Sequence, residues 1–348
     1  MKAKRWNFIV IGGTVLLLGV LAAVTIIVDP FLHYHGPLEQ LEYPLKDERY
    51  QNDGIARHYE YDALITGTSM TQNFKCSEFD ALWGTTSVKT SYSGASYHEL
   101  NENIRRALGY NPDIKYVLCS LDGNTLIYPA DADEYNDYPE YLYDRNPFND
   151  VKYLLNKEVV PKTLAVLNYT RAGNTTPSRD EYGSWSDYQT YGRDAVLSTF
   201  TLQPVREEEH ILSAEDIVNI RENVTQNFLE TALAHPETEF CLFFPPYSIC
   251  YWEALQRTKQ INSQLQAQEM AVEILLTAEN IHIYDFNGRT EITTDLNNYS
   301  DTLHFGEWIN TEILSSIAEG ENELTLENYQ EYYRQINDFY TNYDYSAY

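Results

Sequence analysis

Positive charge is scarce in this chain: 24 Lys and Arg stand against 52 Asp and Glu, a formal net charge of −28. A field of that sign repels polyanions, so nucleic-acid binding is set aside. A solvated acidic surface is the plain reading of the excess, and attraction for cationic groups or metal ions near a cell wall the sharper one. Cysteine is scarce too. Cys76, Cys119, Cys241 and Cys250 form no CxxC pair and have no ligand spacing with histidine, which argues against a zinc site. Cys119 and Cys241 lie in apolar runs and read as buried thiols. A Cys241–Cys250 bridge is the alternative outside the cell. Repeats and low-complexity linkers are absent, and no cofactor is expected. What is present is a 348-residue chain with 43% apolar residues, enough for one large domain with an appendage or for two small domains, and too apolar for disorder. Tyrosine is abundant at 30, which suits carbohydrate-facing surfaces and half-buried sheets equally.

Lys2, Lys4 and Arg5 precede an uncharged apolar run from Asn7 to Val28, and Asp29 follows it. At about 1.5 Å per residue the run is roughly 33 Å long, against a hydrocarbon core of about 30 Å. The positive-inside rule puts residues 1–6 in the cytoplasm and the main domain outside, with 7–28 as a single-pass anchor in the cell membrane. A cleaved signal peptide is the competing reading, but the run exceeds an ordinary h-region and no small-x-small site closes it. Residues 29–55, with three prolines near their start, read as a stalk. His33 and His35 would share a face of an extended segment, but no third metal ligand lies nearby.

Beyond the stalk, strand-like and helix-like segments alternate. Strands are expected at Tyr61–Ile65, Ser87–Thr90, Lys115–Leu121, Glu239–Phe244 and His282–Phe286. Helices are expected at Tyr97–Leu108, Ser213–Ala234 (Ser213 as cap, Asp216 completing a box), Trp252–Thr277 and Phe305–Ile317. This is the pattern of an α/β fold, a three-layer parallel sheet with helical crossovers, spanning about 56–320. Residues 125–214 break the rhythm and read as an insertion beside the mouth of the sheet. Residues 321–348 form a Tyr-rich tail.

Three residues stand out chemically. Ser69 lies in "ITGTSMTQNF", straight after the first strand. Asp301 and His304 lie in "NNYSDTLHFGEW", before the last helix. Loops after parallel strands emerge on one rim, where ligands bind. A serine hydroxyl needs an adjacent base, which His304 can supply, and Asp301 can hold the imidazole tautomer. Gly67 permits a tight turn. The bland alternative is that Ser69 and Asp301 only cap helices. "FFPPYS" at 243–248 reads as a rigid turn forced by Pro245 and Pro246, with the lining of an acyl pocket as the alternative.

With these blocks the sequence resembles the SGNH/GDSL hydrolase superfamily. More narrowly, it is similar to the membrane-anchored members that work beside membrane-bound O-acyltransferases on cell-surface polymers, such as the D-alanyl transfer proteins. "GTS" matches the nucleophile block at Ser69, with Thr68 where the family has an acidic residue. Asp301 and His304 match the DxxH block. "SYSGAS" offers Gly94 as the second-block oxyanion donor. "SLDGNTL" offers Asn124 for the third, with Asp122 as its rival, because the usual Gly-x-Asn-Asp order is absent. The resemblance implies a flavodoxin-like sheet and a serine esterase or acyltransferase. It also implies a cell-surface glycopolymer substrate and a membrane-bound O-acyltransferase as partner. A non-catalytic accessory or scaffold protein that binds the polymer or that acyltransferase is the alternative.

Overall fold

The structure, a computed structural model, describes residues 2–133, 139–144 and 146–347. In chain order it runs α1 (Lys2–Val28), α2 (Glu48–His58), β1 (Ala63–Thr66), α3 (Cys76–Trp83), β2 (Ser87–Lys89), α4 (Tyr97–Tyr110) and β3 (Tyr116–Ser120). Then come α5 (Val151–Leu154), α6 (Val159–Arg171), α7 (Arg193–Thr199), α8 (Ala214–Val224), α9 (Glu230–Ala234), β4 (Glu239–Phe244) and α10 (Ile249–Arg257). The chain closes with α11 (Ile261–Leu275), β5 (Ile281–Asp285), α12 (Thr290–Thr293), α13 (Glu307–Glu319), β6 (Glu323–Leu324) and α14 (Tyr329–Asn342). It divides into two compact units, residues 1–59 with 137–178, and residues 60–136 with 179–348.

In the first unit the most apolar 18 residues of α1 have a mean hydropathy of 2.6, and Ala3–Val28 is long and apolar enough to cross a membrane, as an anchor or a signal sequence. The segment from Asp29, read above as a stalk, is packed because Asp29 organises it. Its carboxylate is fully buried and accepts the backbone N–H groups of His33, Tyr34 and His35 at 2.7–3.0 Å, and the Tyr153 hydroxyl at 2.6 Å. Phe31, Leu142, Tyr153 and Val159 make the core of this unit. His33 and His35 part company: His33 faces Asp150, and His35 faces the Gly36 and Ile26 carbonyls.

The second unit is built on a six-stranded sheet in the order β2-β1-β3-β4-β5-β6. The first five strands are parallel, and β6 pairs antiparallel with β5 through Ile283↔Leu324 and Tyr284↔Glu323. Strand β1 is wholly buried, and β4 is buried from Phe240 onward, as a sheet covered on both faces demands. The helices pack in two groups, α3 with α13, and α4, α8, α10, α11 and α14 with one another. Ser213 and Asp216 form the expected capping box, and a π-turn at Thr225–Leu229 joins α8 to α9. The long helix expected over Trp252–Thr277 is two helices. Lys259 sits at φ 56, and the Thr258 hydroxyl turns back to the Ala254 carbonyl, so α10 stops before α11 starts. All four cysteines are free and buried. Burial pushes the Cys241 thiol up to about 12.

Candidate active site

The site starts where β1 ends. Gly67 has φ 134, and a Cβ there would meet Ser120 Oγ at 2.5 Å and Thr71 Cγ2 at 2.7 Å, so no other residue fits this turn. Thr68 then does three things. Its N–H donates to Ser120 Oγ (3.3 Å), its hydroxyl donates to Asp122 Oδ2 (2.8 Å), and the same oxygen accepts from Met70 N (3.4 Å). The following residues, Ser69–Thr71, form a single 3-10 turn. Ser69 heads that turn with its side chain half-buried.

The other half of the site is the loop before α13. Asp301 Oδ1 accepts the N–H groups of Leu303 (2.8 Å) and His304 (2.9 Å), which folds the loop around its own carboxylate. Asp301 Oδ2 accepts from His304 Nδ1 at 2.8 Å, and His304 Nε2 accepts from Ser69 Oγ at 2.8 Å. A carboxylate partner on Nδ1 fixes the imidazole proton there and leaves Nε2 as the acceptor. Burial opposes ionisation of Asp301. The His304 hydrogen bond and charge, with the two backbone N–H groups, outweigh it and hold the carboxyl below its ordinary value.

Neighbouring loops brace both halves. The turn after β4 supplies Ser248, whose N–H and hydroxyl donate to the Thr302 carbonyl (3.2 and 2.7 Å), and the Pro246 carbonyl accepts from Tyr299 (2.7 Å). "FFPPYS" therefore holds the loop of Asp301 and His304 in place. Asn310 of α13 reaches the Met70 carbonyl at 3.1 Å. Trp185, from the insertion, donates its indole N–H to the Ser69 carbonyl (3.2 Å), and its ring stands edge-on to the His304 ring at 5.3 Å. Trp185 is held in turn by its backbone N–H on Asn73 Oδ1 (3.1 Å). Lys89, 2% exposed, donates to the carbonyls of Gln72, Phe74 and Asp180, tying the Ser69 loop to the insertion.

The structure thus brings Ser69, His304 and Asp301 together from positions up to 235 residues apart. Gly94 (φ 63) and Asn124 are exposed on the loops after β2 and β3 and, among the described residues, make no hydrogen bond to Ser69. Asn124 Oδ1 accepts from the Tyr251 hydroxyl (2.8 Å), which leaves its amide N–H groups as donors. Asp122, the rival for the third block, is buried instead. Its oxygens accept from Thr68, Ser120 and Tyr247, the last at 2.5 Å. Burial pushes its carboxyl up, against these hydroxyls and the charge of His304. An acceptor so surrounded supports the turn from below. Sequence reasoning missed Trp185 and Lys89. Trp185 acts across 116 residues from outside any regular strand or helix, and Lys89, inside the expected second strand, reads as an ordinary strand lysine until the Asp180 carbonyl closes on it. Among the described residues no three His, Cys, Asp or Glu side chains gather to hold a metal.

The sequence matches no protein-family profile and no curated protein. A solved structure from Streptococcus pneumonia, provisionally named as a platelet activating factor, superposes with a TM-score of 0.37 and 13% identity, covering 78% of this chain and 89% of that one.

Proposed function

We propose that this protein is a membrane-anchored, extracytoplasmic serine esterase or O-acyltransferase that works through an acyl-Ser69 intermediate on cell-surface glycopolymers. The observation that carries the reading is the unbroken relay from Ser69 Oγ through His304 to Asp301, both links at 2.8 Å. Ser69 Oγ attacks an ester carbonyl while its proton passes to His304 Nε2. Asp301 stabilises the imidazolium that results. The Ser69 and Gly94 N–H groups and the Asn124 amide are the oxyanion donors in this reading, each worth about 3–4 kcal/mol when well aimed. His304 then returns its proton to the leaving alkoxide. A polymer hydroxyl or water, deprotonated by the same imidazole, releases the acyl group. The polymer part of the reading is supported by the rings near the site. Trp185 lies against His304, and Trp308, 42% exposed, meets Tyr191 at 5.0 Å. Flat amphipathic rings of this kind suit sugar faces.

The test is covalent labelling with a serine-reactive phosphonate. The wild type should label and Ser69→Ala should not, while both keep the same thermal melt. An unlabelled wild type would sink the enzyme reading. It would favour the second reading, a polymer- or acyltransferase-binding scaffold, to which the burial of Asp122 in place of a family oxyanion donor points.

A further inference from the structure

The first unit carries two apolar stripes that its own core does not use. On α6, Val160, Leu164 and Leu167 recur at helical spacing. Leu164 and Leu167 are exposed, with Pro161 beside them, while Val159, Thr163 and Val166 face inward. On α5, Val151 is exposed, with Phe148 one turn before it and Leu155 just after the helix, and Tyr153 faces inward. Phe148 is 91% exposed, an unusual state in water for so large a ring. Exposed Lys152 and Lys157 flank this stripe.

Both helices pack on α1, and Thr163 of α6 meets Thr25 of α1 at 3.5 Å. The depth of that contact follows from the geometry of the span. With Arg5 among the head groups of one leaflet, about 20 residues cross the roughly 30 Å of hydrocarbon, so the far boundary falls near Thr25. The α6 stripe is therefore at the level of the outer leaflet, next to a helix whose own lipid-facing side chains are exposed.

We infer that the stripes of Phe148, Val151 and Leu155 and of Leu164 and Leu167 are seated in the outer interface of a phospholipid bilayer, a second membrane contact beside the anchor. The apolar side chains enter the acyl boundary, and Lys152 and Lys157 reach back to the phosphates. The contact holds the first unit against the membrane instead of leaving it to swing on a single helix. It rests on reading α1 as a retained span.

The full chain in phosphatidylcholine nanodiscs tests this. Single cysteines at Phe148→Cys, Leu164→Cys and, as a reference in the span, Leu16→Cys are labelled with an environment-sensitive NBD dye. The native thiols are buried and stay unreacted. A thermal melt matching the wild type shows that each labelled variant is folded. Doxyl lipids with the quencher near the head group should lower emission at 148 and 164 about twofold or more, as interfacial insertion requires, and mid-chain doxyl should quench at 16. Quenching at 16 with none at 148 and 164 overturns the contact and leaves the anchor standing. An unquenched label at 16 removes the anchor, and the inference falls with it.

Discussion

Two aspartates show how burial and partners set what a carboxylate does here. Asp301 takes three N–H donors that hold its carboxyl below the ordinary value, which in the proposed reaction leaves its charge available to the imidazolium. Asp301→Asn keeps the shape but offers His304 the wrong tautomer partner. Ester turnover should fall by about 10⁴ with little change in KM, which steady-state kinetics on an aryl acetate would read. Asp29 is the structural counterpart, fully buried with its donors all drawn from the following turn and Tyr153. Asp29→Ala strands those donors. Amide exchange at residues 33–35 should accelerate about a hundredfold, the equivalent of roughly 2–3 kcal/mol. Unchanged exchange would show that water replaces the carboxylate without cost. The adjacency of Ser69, His304 and Asp301 was legible from sequence because the loops that carry them follow strand ends that the topology puts on one rim. Trp185 was not, since its contacts with Ser69 and His304 arise only once the insertion folds back.

At the scale of elements, the parallel strands could be read from their continuous apolar runs, β4 above all. The rest was hidden for physical reasons. Helix α2 is polar yet buries Gln51, Asn52 and Asp53, so its sequence looks like exposed loop. The α10–α11 break has no Gly or Pro, only a lysine in the left-handed region. Strand β6 has two residues and no pattern, and a side-chain clamp secures it. His282 on β5 meets Glu323 of β6 at 2.9 Å and Glu239 of β4 at 3.0 Å. Burial lowers the imidazole's affinity for protons, but the two carboxylates more than offset it and raise its pKa. A raised folded value means that the clamp's stabilisation is complete below the unfolded value of about 6.5 and is lost as pH rises through the folded one. The melting temperature of the wild type should exceed that of His282→Gln in mild acid, and the two should converge in alkali. A gap independent of pH would mean that the clamp works by packing alone.

For the whole molecule, connectivity matters as much as geometry. Each unit is assembled from two separated stretches of chain, which residue-by-residue reading could not anticipate: nothing in the composition of 137–178 marks it as partner to the first 59 residues. Asp29 waits for Tyr153, 124 residues later, and Ser69 waits for His304, 235 residues later. Synthesis runs from the N-terminus, so these pairs close in a fixed order. The buried Asp29 carboxylate finds its tyrosine midway, and Ser69 acquires its histidine partner only once the loop before α13 is made. A chain released before residue 304 therefore carries Ser69 without the imidazole it pairs with, so the proposed acyl transfer has no base to start it until the two ends of the second unit have met.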